Sequence, residues 1–286
     1  MIGPAAPERS TLAVERDAYR RGRTRRSFAV SFGATALLAV VAVLAVRRSP
    51  GWPRVHQSFF DWGVARSSFP LVLSGLWLNI RILLVAEVVV LVVGLALAVA
   101  RTTRGPLLFP LRALATVYTD LFRGLPLIVA LFLIGFGLPA LSLQGIPTSA
   151  TVLGAIAIIL TYSAYVGEVF RAGIETVHPS QRLAARSLGL SYRQSLRLVV
   201  LPQAVRRVVP PLLNDFVALQ KDVGLVSVLG VSDAIENAHI AESATFNFTP
   251  YVLAGLMFIV LAVPTGRFAD VVARRARRRE QSGGLL

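Results

Sequence analysis

The most regular feature of the chain is a series of long apolar runs separated by shorter polar segments. A helix needs about 20 apolar residues to cross about 30 Å of hydrocarbon. We predict six transmembrane helices, in the runs 28–46, 71–100, 111–138, 149–169, 210–231 and 250–269. The fifth run contains Asp215, Lys221 and Asp222, so it is the weakest span, and a broken helix is an alternative to a continuous one there.

The composition agrees with a membrane protein. Of 286 residues, 55% are hydrophobic and 16% are charged, and the mean hydropathy is +0.65, whereas soluble domains have about 45–50% apolar and about 25% charged residues. The chain has no cysteine, which excludes disulfides and thiolate metal sites. Its three histidines lie far apart in sequence, which argues against a histidine-based metal site.

The distribution of basic residues predicts the orientation. Of the 30 lysines and arginines, 23 lie in the two tails or in the loops after the second and fourth spans. Only four lie in the opposite loops. Because lysine and arginine are retained on the cytoplasmic side, both termini are predicted to be cytoplasmic. A cleaved signal peptide is the disfavoured alternative, since the first run is long and no A-x-A site precedes Arg47.

These features divide the chain into five parts. We predict a basic cytoplasmic tail (1–27), an extra transmembrane helix (28–46), an extracytoplasmic linker (47–70), a core (71–272) and a second basic tail (273–286). Within the core, the segment 177–211 is a long polar cytoplasmic loop that contains helix boundary signals.

This loop has the pattern of two helices joined by a glycine turn. Pro179 suits the first turn of a helix, and Gly189 can adopt the positive φ that often ends one. Ser191 and Gln194 have capping-box spacing. The second predicted helix, 192–200, ends before Pro202, which disfavours helical geometry in the residue preceding it.

Two interpretations of the loop differ in the partner that it binds. Ala184 and Ala185 are small residues that allow a partner surface to approach closely, and a helical unit between two spans can transmit force from a cytoplasmic protein. A DNA-reading helix-turn-helix is the alternative. It is disfavoured because the unit lacks a third helix and is tethered at both ends, so no nucleic-acid partner is predicted.

The same residues carry a family resemblance. Leu183-Ala-Ala, Gly189 and Val199-Val-Leu-Pro202 follow the spacing of the EAA loop of ABC-importer permeases, and the chain resembles their polar amino-acid branch. The supporting motifs are Phe122-Arg-Gly-Leu-Pro-Leu127, Ser163-Ala-Tyr-Val-Gly-Glu168, Phe170-Arg-Ala-Gly-Ile174, Leu201-Pro-Gln-Ala204 and Leu219-Gln-Lys-Asp222 with Leu225-Val-Ser227. The resemblance covers roughly residues 70–272, and the order and spacing of the motifs make it specific.

The resemblance implies an all-α integral membrane protein of the bacterial plasma (inner) membrane. The implied fold is a type I ABC-importer permease-like bundle of about six transmembrane helices, with both termini inside. The implied function is import of polar amino acids, and the expected solutes are glutamate- or glutamine-like. The implied partners are ABC ATPase subunits, a second permease subunit, an extracytoplasmic solute-binding protein and the lipid bilayer. The residues expected to couple to the ATPase are Gln181, Leu183, Ala184, Ala185, Gly189, Leu201 and Pro202.

The chain also departs from the family pattern. Leu183 replaces the usual glutamate of EAA, which removes a charge that family members use to order the loop at the ATPase. Leu125 replaces a threonine, and Val223-Gly224 replaces Thr-Ser. The loss of the glutamate fits a heteromeric pair in which a sister permease keeps the full motif.

The candidate residues for a translocation path or gate are Glu168, Lys221, Asp222 and Ser227. Ionisable groups within a bilayer usually face a cavity, the protein interior or each other. Lys221 and Asp222 either line the path or form a structural pair, and the sequence leaves both readings open. Glu168 fits either a gate or an ion pair with Arg171.

No energy source is encoded in the chain. It lacks the G-x-x-x-x-G-K-[ST] phosphate loop, and its only lysine is Lys221, inside a predicted span. We therefore predict a translocation subunit that is not an enzyme and holds no cofactor, with ATP and magnesium on a partner ATPase. The alternative is a secondary amino-acid transporter or channel that works without an ATPase, which leaves the loop 177–211 without a role.

Overall fold

The computed structural model of the chain describes residues 11–102, 105–145, 147–177 and 179–283. The regular elements of this described part are helical, and it contains no strand. The chain divides into two compact units, residues 1–57 and residues 58–286.

The first unit contains one long helix, α1 (Thr11–Arg48). The predicted extra transmembrane run forms its second half, and residues 30–48 are long and apolar enough to cross a membrane. Phe28, Phe32 and Leu38 are each at least 69% exposed. A helix that presents apolar side chains all around suits contact with lipid.

The segment predicted as a linker, 47–70, is largely helical. It contains α2 (Trp52–Phe59) and the beginning of α3 (Trp62–Thr102). Asp61 precedes α3, and its carboxylate accepts a hydrogen bond from Val64 N–H at 3.0 Å. This cap starts the helix ahead of the boundary at residue 71 that hydropathy suggested.

Helix α3 is the central element of the second unit. At 41 residues it is about 60 Å long, twice the hydrocarbon thickness. One face is buried along most of its length, at Val72, Leu76, Asn79, Leu83, Ala86, Val90, Gly94 and Ala98. Spacings of three and four residues place these side chains on one stripe.

The third predicted span, 111–138, is not one straight helix. A 3-10 turn (Pro106–Leu108) leads into α4 (Phe109–Gly124), and α5 (Leu127–Phe132) then runs at 107° to the preceding helical segment. Pro126 lies at the bend, and Leu125 before it is extended (φ −93°, ψ 126°). Proline disfavours helical geometry in the residue before it, so this correction has a local cause.

In the rest of the unit, the described residues form seven further helices and three segments of π or 3-10 helix. A π turn (Leu133–Gly137) joins α5 to α6 (Leu138–Ala140), and α7 (Ala150–Glu175) follows. Next come α8 (Pro179–Ser187), α9 (Tyr192–Ser195), a π turn (Leu196–Val200) and α10 (Leu201–Asp222). A 3-10 segment (Val223–Leu229), α11 (Ala234–Thr245) and α12 (Thr249–Gly283) complete it.

The fifth predicted span is divided in the structure. Its α-helix ends at Asp222, and the residues up to Leu229 form the 3-10 segment. Four helical segments in the described part of the chain are long and apolar enough to cross a membrane, or five if the bent segment 106–140 counts as one span. The run 210–231 is not among these segments, because it contains charged residues and its helix is broken after Asp222.

The two larger apolar clusters among the described residues form most of the core of the second unit. The larger one joins α3, α5, α7, α10 and the 3-10 segment, and includes Leu131, Ile158 and Leu219, which are each fully buried. At the crossing of α3 and α7, a side chain on Gly94 would overlap Val166. The smaller cluster joins α3, α11 and α12 around Val72 and Ala234. Small residues at such crossings let membrane helices approach closely.

Hydrogen bonds attach the start of α11 to α3 within this core. Asn79 donates to the Asp233 carboxylate at 2.9 Å and accepts from Ala234 N–H at 3.1 Å. The other Asp233 oxygen caps α11 by accepting from Ile235 and Glu236 N–H at 3.0 and 2.9 Å. Both partners are buried, so each satisfies polar groups that water cannot reach.

Candidate coupling hairpin and charged interior

The predicted helix–glycine–helix unit is present in the structure. Helix α8 ends in a Schellman motif: Gly189 has φ +80°, and its N–H donates to Arg186 C=O at 2.9 Å. Leu190 N–H donates to Ala185 C=O at 3.2 Å. A glycine suits this position because residues with a β-carbon rarely adopt positive φ.

The second helix of the unit begins as predicted but does not end as predicted. Ser191 N–H donates to Gln194 Oε1 at 2.9 Å, and Gln194 N–H donates to Ser191 Oγ at 3.4 Å, which is a capping box. The chain then passes through the π turn into α10 without a break at Pro202. Pro202 occupies the first turn of α10, where a missing N–H is tolerated.

The hairpin presents apolar side chains outward. Leu183 is 64% exposed, Leu188 83% and Leu198 63%, and Gln181 and Ala184 are also exposed. Among the other residues predicted to couple, Ala185 lies on the buried face of α8, while Leu201 and Pro202 are exposed at the start of α10. Three large apolar residues on one short exposed unit are typical of a protein interaction site.

Contacts at its base attach the hairpin to two long helices. Arg207 on α10 donates to Thr176 C=O, just after α7, at 2.6 Å. Val177 and Ala204 are buried against each other nearby. Because α7 and α10 both continue into the main core, the hairpin is connected to that core through two long helices.

An ion cluster at the inner end of the bundle surrounds Glu168. Its carboxylate accepts from Arg101 at 2.7 Å and from Arg171 at 2.5 and 3.1 Å, and lies 3.9 Å from Arg123. Arg171 also pairs with Glu175. The inner-face cluster, defined by these five residues, joins α3, α4 and α7. The predicted pair with Arg171 is therefore present, whereas the contributions of Arg101 and Arg123 were missed.

The other candidate path residues are separated by the structure. Asp222 accepts a hydrogen bond from the Tyr162 hydroxyl at 2.7 Å, while Lys221 beside it is exposed. Ser227 is buried in the 3-10 segment. Tyr162 and Glu168 are six residues apart on α7, about 9 Å along its axis. Glu168 and Asp222 thus belong to different levels of the bundle.

Two further carboxylates share the interior with Asp222. Asp215 lies seven residues earlier on α10, which places it on the same helix face. It lies close enough to Glu87 of α3 and to Tyr162 of α7 for its charge to act on both groups. One oxygen of Asp215 is buried without a hydrogen-bond partner in the structure. Within the described residues, no arginine, lysine or histidine nitrogen lies within 4.0 Å of these carboxylates, which we call the acidic strip (Glu87, Asp215 and Asp222).

The sequence carried only partial signals for these groups. Glu87 and Asp215 stood out as charges within apolar runs, but their separation of more than 120 residues gives no hint that they meet. Asp233 and Glu236 had capping-box spacing ahead of α11, a local signal that could have located that helix start. The described residues contain no group of three or more His, Cys, Asp or Glu able to hold a metal ion.

The chain forms a polytopic helical bundle with a capped hairpin and a charged interior, and solved structures identify the class of protein that has this fold. A crystal structure of an amino acid ABC transporter with histidines matches at a TM-score of 0.68 and 33% identity, covering 75% of this chain and 98% of that one. An inward-facing methionine ABC transporter, MetNI, matches at a TM-score of 0.55 and 17% identity over 73% of this chain and 97% of that one, which supports the fold alone. The fold is that of a type I ABC-importer permease.

The chain belongs to the family of binding-protein-dependent transport system inner membrane components, whose profile matches residues 106–278. Similar proteins from Bacillus subtilis strain 168 agree with this assignment. The arginine transport system permease protein ArtQ is 31% identical over 76% of this chain and 97% of its own length. The probable glutamine ABC transporter permease protein GlnM is 32% identical over 74% of this chain and 95% of its own length. The chain is therefore an amino-acid ABC importer permease, a multi-pass protein of the bacterial plasma membrane.

Proposed function

We propose that this permease imports polar amino acids under the control of a separate ATPase that docks on the hairpin 177–211. The observation that carries the proposal is the exposed apolar surface of Leu183, Leu188 and Leu198 on a capped, anchored hairpin. An ATPase that closes on ATP would push this surface, and the contacts with α7 and α10 would pass the movement to the core.

The proposed assembly contains further subunits. ATP and magnesium bind to the ATPase, and this chain holds no cofactor. A second permease, identical or a sister chain, completes the path, and an extracytoplasmic solute-binding protein delivers the amino acid. Leu183 in place of the usual glutamate favours docking through apolar contact on this chain. It also fits a sister permease that supplies the charged contact.

Substitutions at two hairpin positions test the coupling role. Ala184→Glu adds a charge to the exposed face of α8, and Gly189→Val strains the Schellman turn, where φ is +80°. We expect both to abolish ATP-driven uptake in proteoliposomes while membrane insertion persists. Ala184→Ser and Gly189→Asn are the matched controls, since serine adds no charge and asparagine tolerates positive φ. Full uptake by the first two variants would contradict the proposal.

Reconstitution of the chain with and without an ATPase tests the proposed energy source. Strict dependence of uptake on ATP and the ATPase supports the proposal. Uptake driven by an ion gradient alone, as in transporters that use broken helices and interior carboxylates, would contradict it.

We infer that the transported side chain is cationic or neutral. The carboxylates of the acidic strip would repel a glutamate side chain and attract a guanidinium or ammonium group. Of the two solutes expected from the resemblance, glutamate and glutamine, this argues against glutamate. Relatives named for arginine and glutamine transport are compatible with the inference.

A competition assay tests the substrate class. The complete complex would take up labelled arginine while unlabelled arginine, lysine, glutamine and glutamate are added in turn. We expect arginine and lysine to compete best, glutamine to compete less and glutamate to compete least. Competition by glutamate equal to that of arginine would refute the inference.

A further inference from the structure

A cleft of about 410 Å³ opens at the inner end of the bundle, beside the inner-face cluster. It lies between the end of α3, the beginning of α4 and the end of α7. Its lining residues are Arg101, Phe109, Arg112, Ala113, Thr116, Val117, Arg171 and Glu175. The cleft thus combines three guanidinium groups, one carboxylate and an apolar wall.

The charge of this cleft is positive. Arg101 and Arg171 contact Glu168, which lies behind the lining, and Arg171 also pairs with Glu175. Even with Glu168 counted, the three lining arginines outnumber the two glutamates. The Arg112 guanidinium stands 5.5 Å from the centre of the Phe109 ring, at the wall of the cleft. Guanidinium groups arranged in this way recognise phosphate oxygens through charge-assisted hydrogen bonds.

The position of the cleft relative to the membrane and its apolar wall indicate which kind of phosphate-bearing molecule it binds. The loop between α3 and α4 lies on the cytoplasmic side, as does the hairpin that follows α7, so the cleft is at the inner membrane surface. Phe109 is 59% exposed and Val117 65%, and Leu114 between them is 69% exposed. These α4 side chains form an exposed apolar surface that adjoins the cleft.

We propose that this cleft binds the phosphate of an anionic phospholipid of the inner leaflet. Arg101, Arg112 and Arg171 hold the phosphate oxygens, and the acyl chains lie along Phe109 and Val117 of α4. Basic pockets between transmembrane helices on the cytoplasmic side are suited to such headgroups. The bound lipid bridges α3, α4 and α7, the same helices that the inner-face cluster joins.

Lipid retention by the purified full complex provides the test. The complex is equilibrated in detergent with equal amounts of phosphatidylglycerol and phosphatidylcholine, and bound lipid is counted by native mass spectrometry. We expect the wild type to retain phosphatidylglycerol selectively, and Arg112→Gln to lower that retention about tenfold, as for a lost charge-assisted contact. Arg274→Gln is the control, because this exposed arginine of α12 lies on the same membrane side outside the cleft. Equal losses in both variants, or no preference for phosphatidylglycerol, would overturn the proposal.

A second variant and a soluble anion sharpen the result. Ala113→Phe fills the cleft while keeping every charge, so it should lower phosphatidylglycerol retention as Arg112→Gln does. Inorganic phosphate at millimolar concentration should leave the bound lipid in place. Displacement of the lipid by inorganic phosphate would assign the site to a soluble anion and overturn the proposal. Neither readout depends on uptake, so failure here leaves the transport function untouched.

Discussion

The inner-face cluster and the acidic strip differ in how their carboxylates are paired. At the inner face, Glu168 is contacted by three arginines from three helices, and two of the contacts are 2.7 Å or shorter. In the interior, Asp215 has a buried oxygen without a hydrogen-bond partner and lies in the field of Glu87. The first arrangement pairs its carboxylates with arginines within the fold, whereas the second leaves an acceptor oxygen of Asp215 unused.

This difference separates structural from functional charge. A paired carboxylate contributes to the stability of the helix bundle, and its removal leaves unpaired arginines. An uncompensated interior carboxylate destabilises the fold, so a functional reason for its presence is expected. Stability measurements on variants of the two regions should therefore change in opposite directions.

The largest effect is expected at Glu168. Glu168→Gln leaves Arg101 and Arg171 without their shared carboxylate, and we expect a loss of about 2 kcal/mol of stability, since the site is partly exposed. The measurement is thermal unfolding of the detergent-purified protein, followed by intrinsic fluorescence. An unchanged melting temperature would show that the cluster does not hold the helices together.

Asp215 should behave in the opposite way. Asp215→Asn removes an uncompensated charge, so the melting temperature should stay the same or rise. Uptake of arginine should fall about tenfold relative to glutamine, as for the loss of one charge-assisted contact. Radiolabelled uptake of both amino acids measures this ratio. A lowered melting temperature with an unchanged ratio would place Asp215 with Glu168 as a structural residue.

Tyr162 tests whether Asp222 belongs to the acidic strip or to the fold. Tyr162→Phe removes the 2.7 Å hydrogen bond to Asp222 and should cost about 1 kcal/mol of stability. The measurement is the unfolding midpoint in guanidinium or heat, compared with that of the wild type. The neighbouring Tyr165→Phe, which removes a longer and more exposed hydrogen bond to Arg123 C=O at 3.3 Å, should shift the midpoint less. A Tyr162→Phe midpoint equal to that of the wild type would show that the Asp222 bond contributes nothing measurable.

The smallest effect is expected at Glu175. Glu175→Gln removes the outer partner of Arg171, but this side chain is 54% exposed, and exposed pairs contribute about 0–1 kcal/mol. Its melting temperature, measured beside that of Glu168→Gln, should differ little from the wild type. A fall in melting temperature as large as that of Glu168→Gln would mean that the exposure of a side chain does not determine how much its ion pair contributes to stability.

Local signals explain most of what could be predicted. The apolar runs predicted the fold class, the basic loops predicted the membrane orientation, and the ordered motifs around Gly189 indicated the family. Pro179, Gly189 and the Ser191–Gln194 box gave the hairpin, because caps and turns depend on neighbouring residues. Local rules misplaced the end of the second hairpin helix, since a π turn carries the chain past Pro202 into α10. The roles assigned to the hairpin residues and to Lys221, Asp222 and Ser227 stay predictions.

By itself, the sequence determined that this chain is a helical membrane protein with a cytoplasmic hairpin of two capped helices, because hydropathy, charge bias and capping act over a few residues. The order and spacing of its motifs determined that it is a permease. Only the tertiary structure decided which ionisable groups meet. Arg101 and Glu168 are 67 residues apart, and Asn79 and Asp233 are 154 apart. Such pairs depend on how the helices cross. The crossing is set by close contacts between helices, such as that of the Gly94 backbone with the Val166 side chain, and no local sequence pattern predicts these contacts.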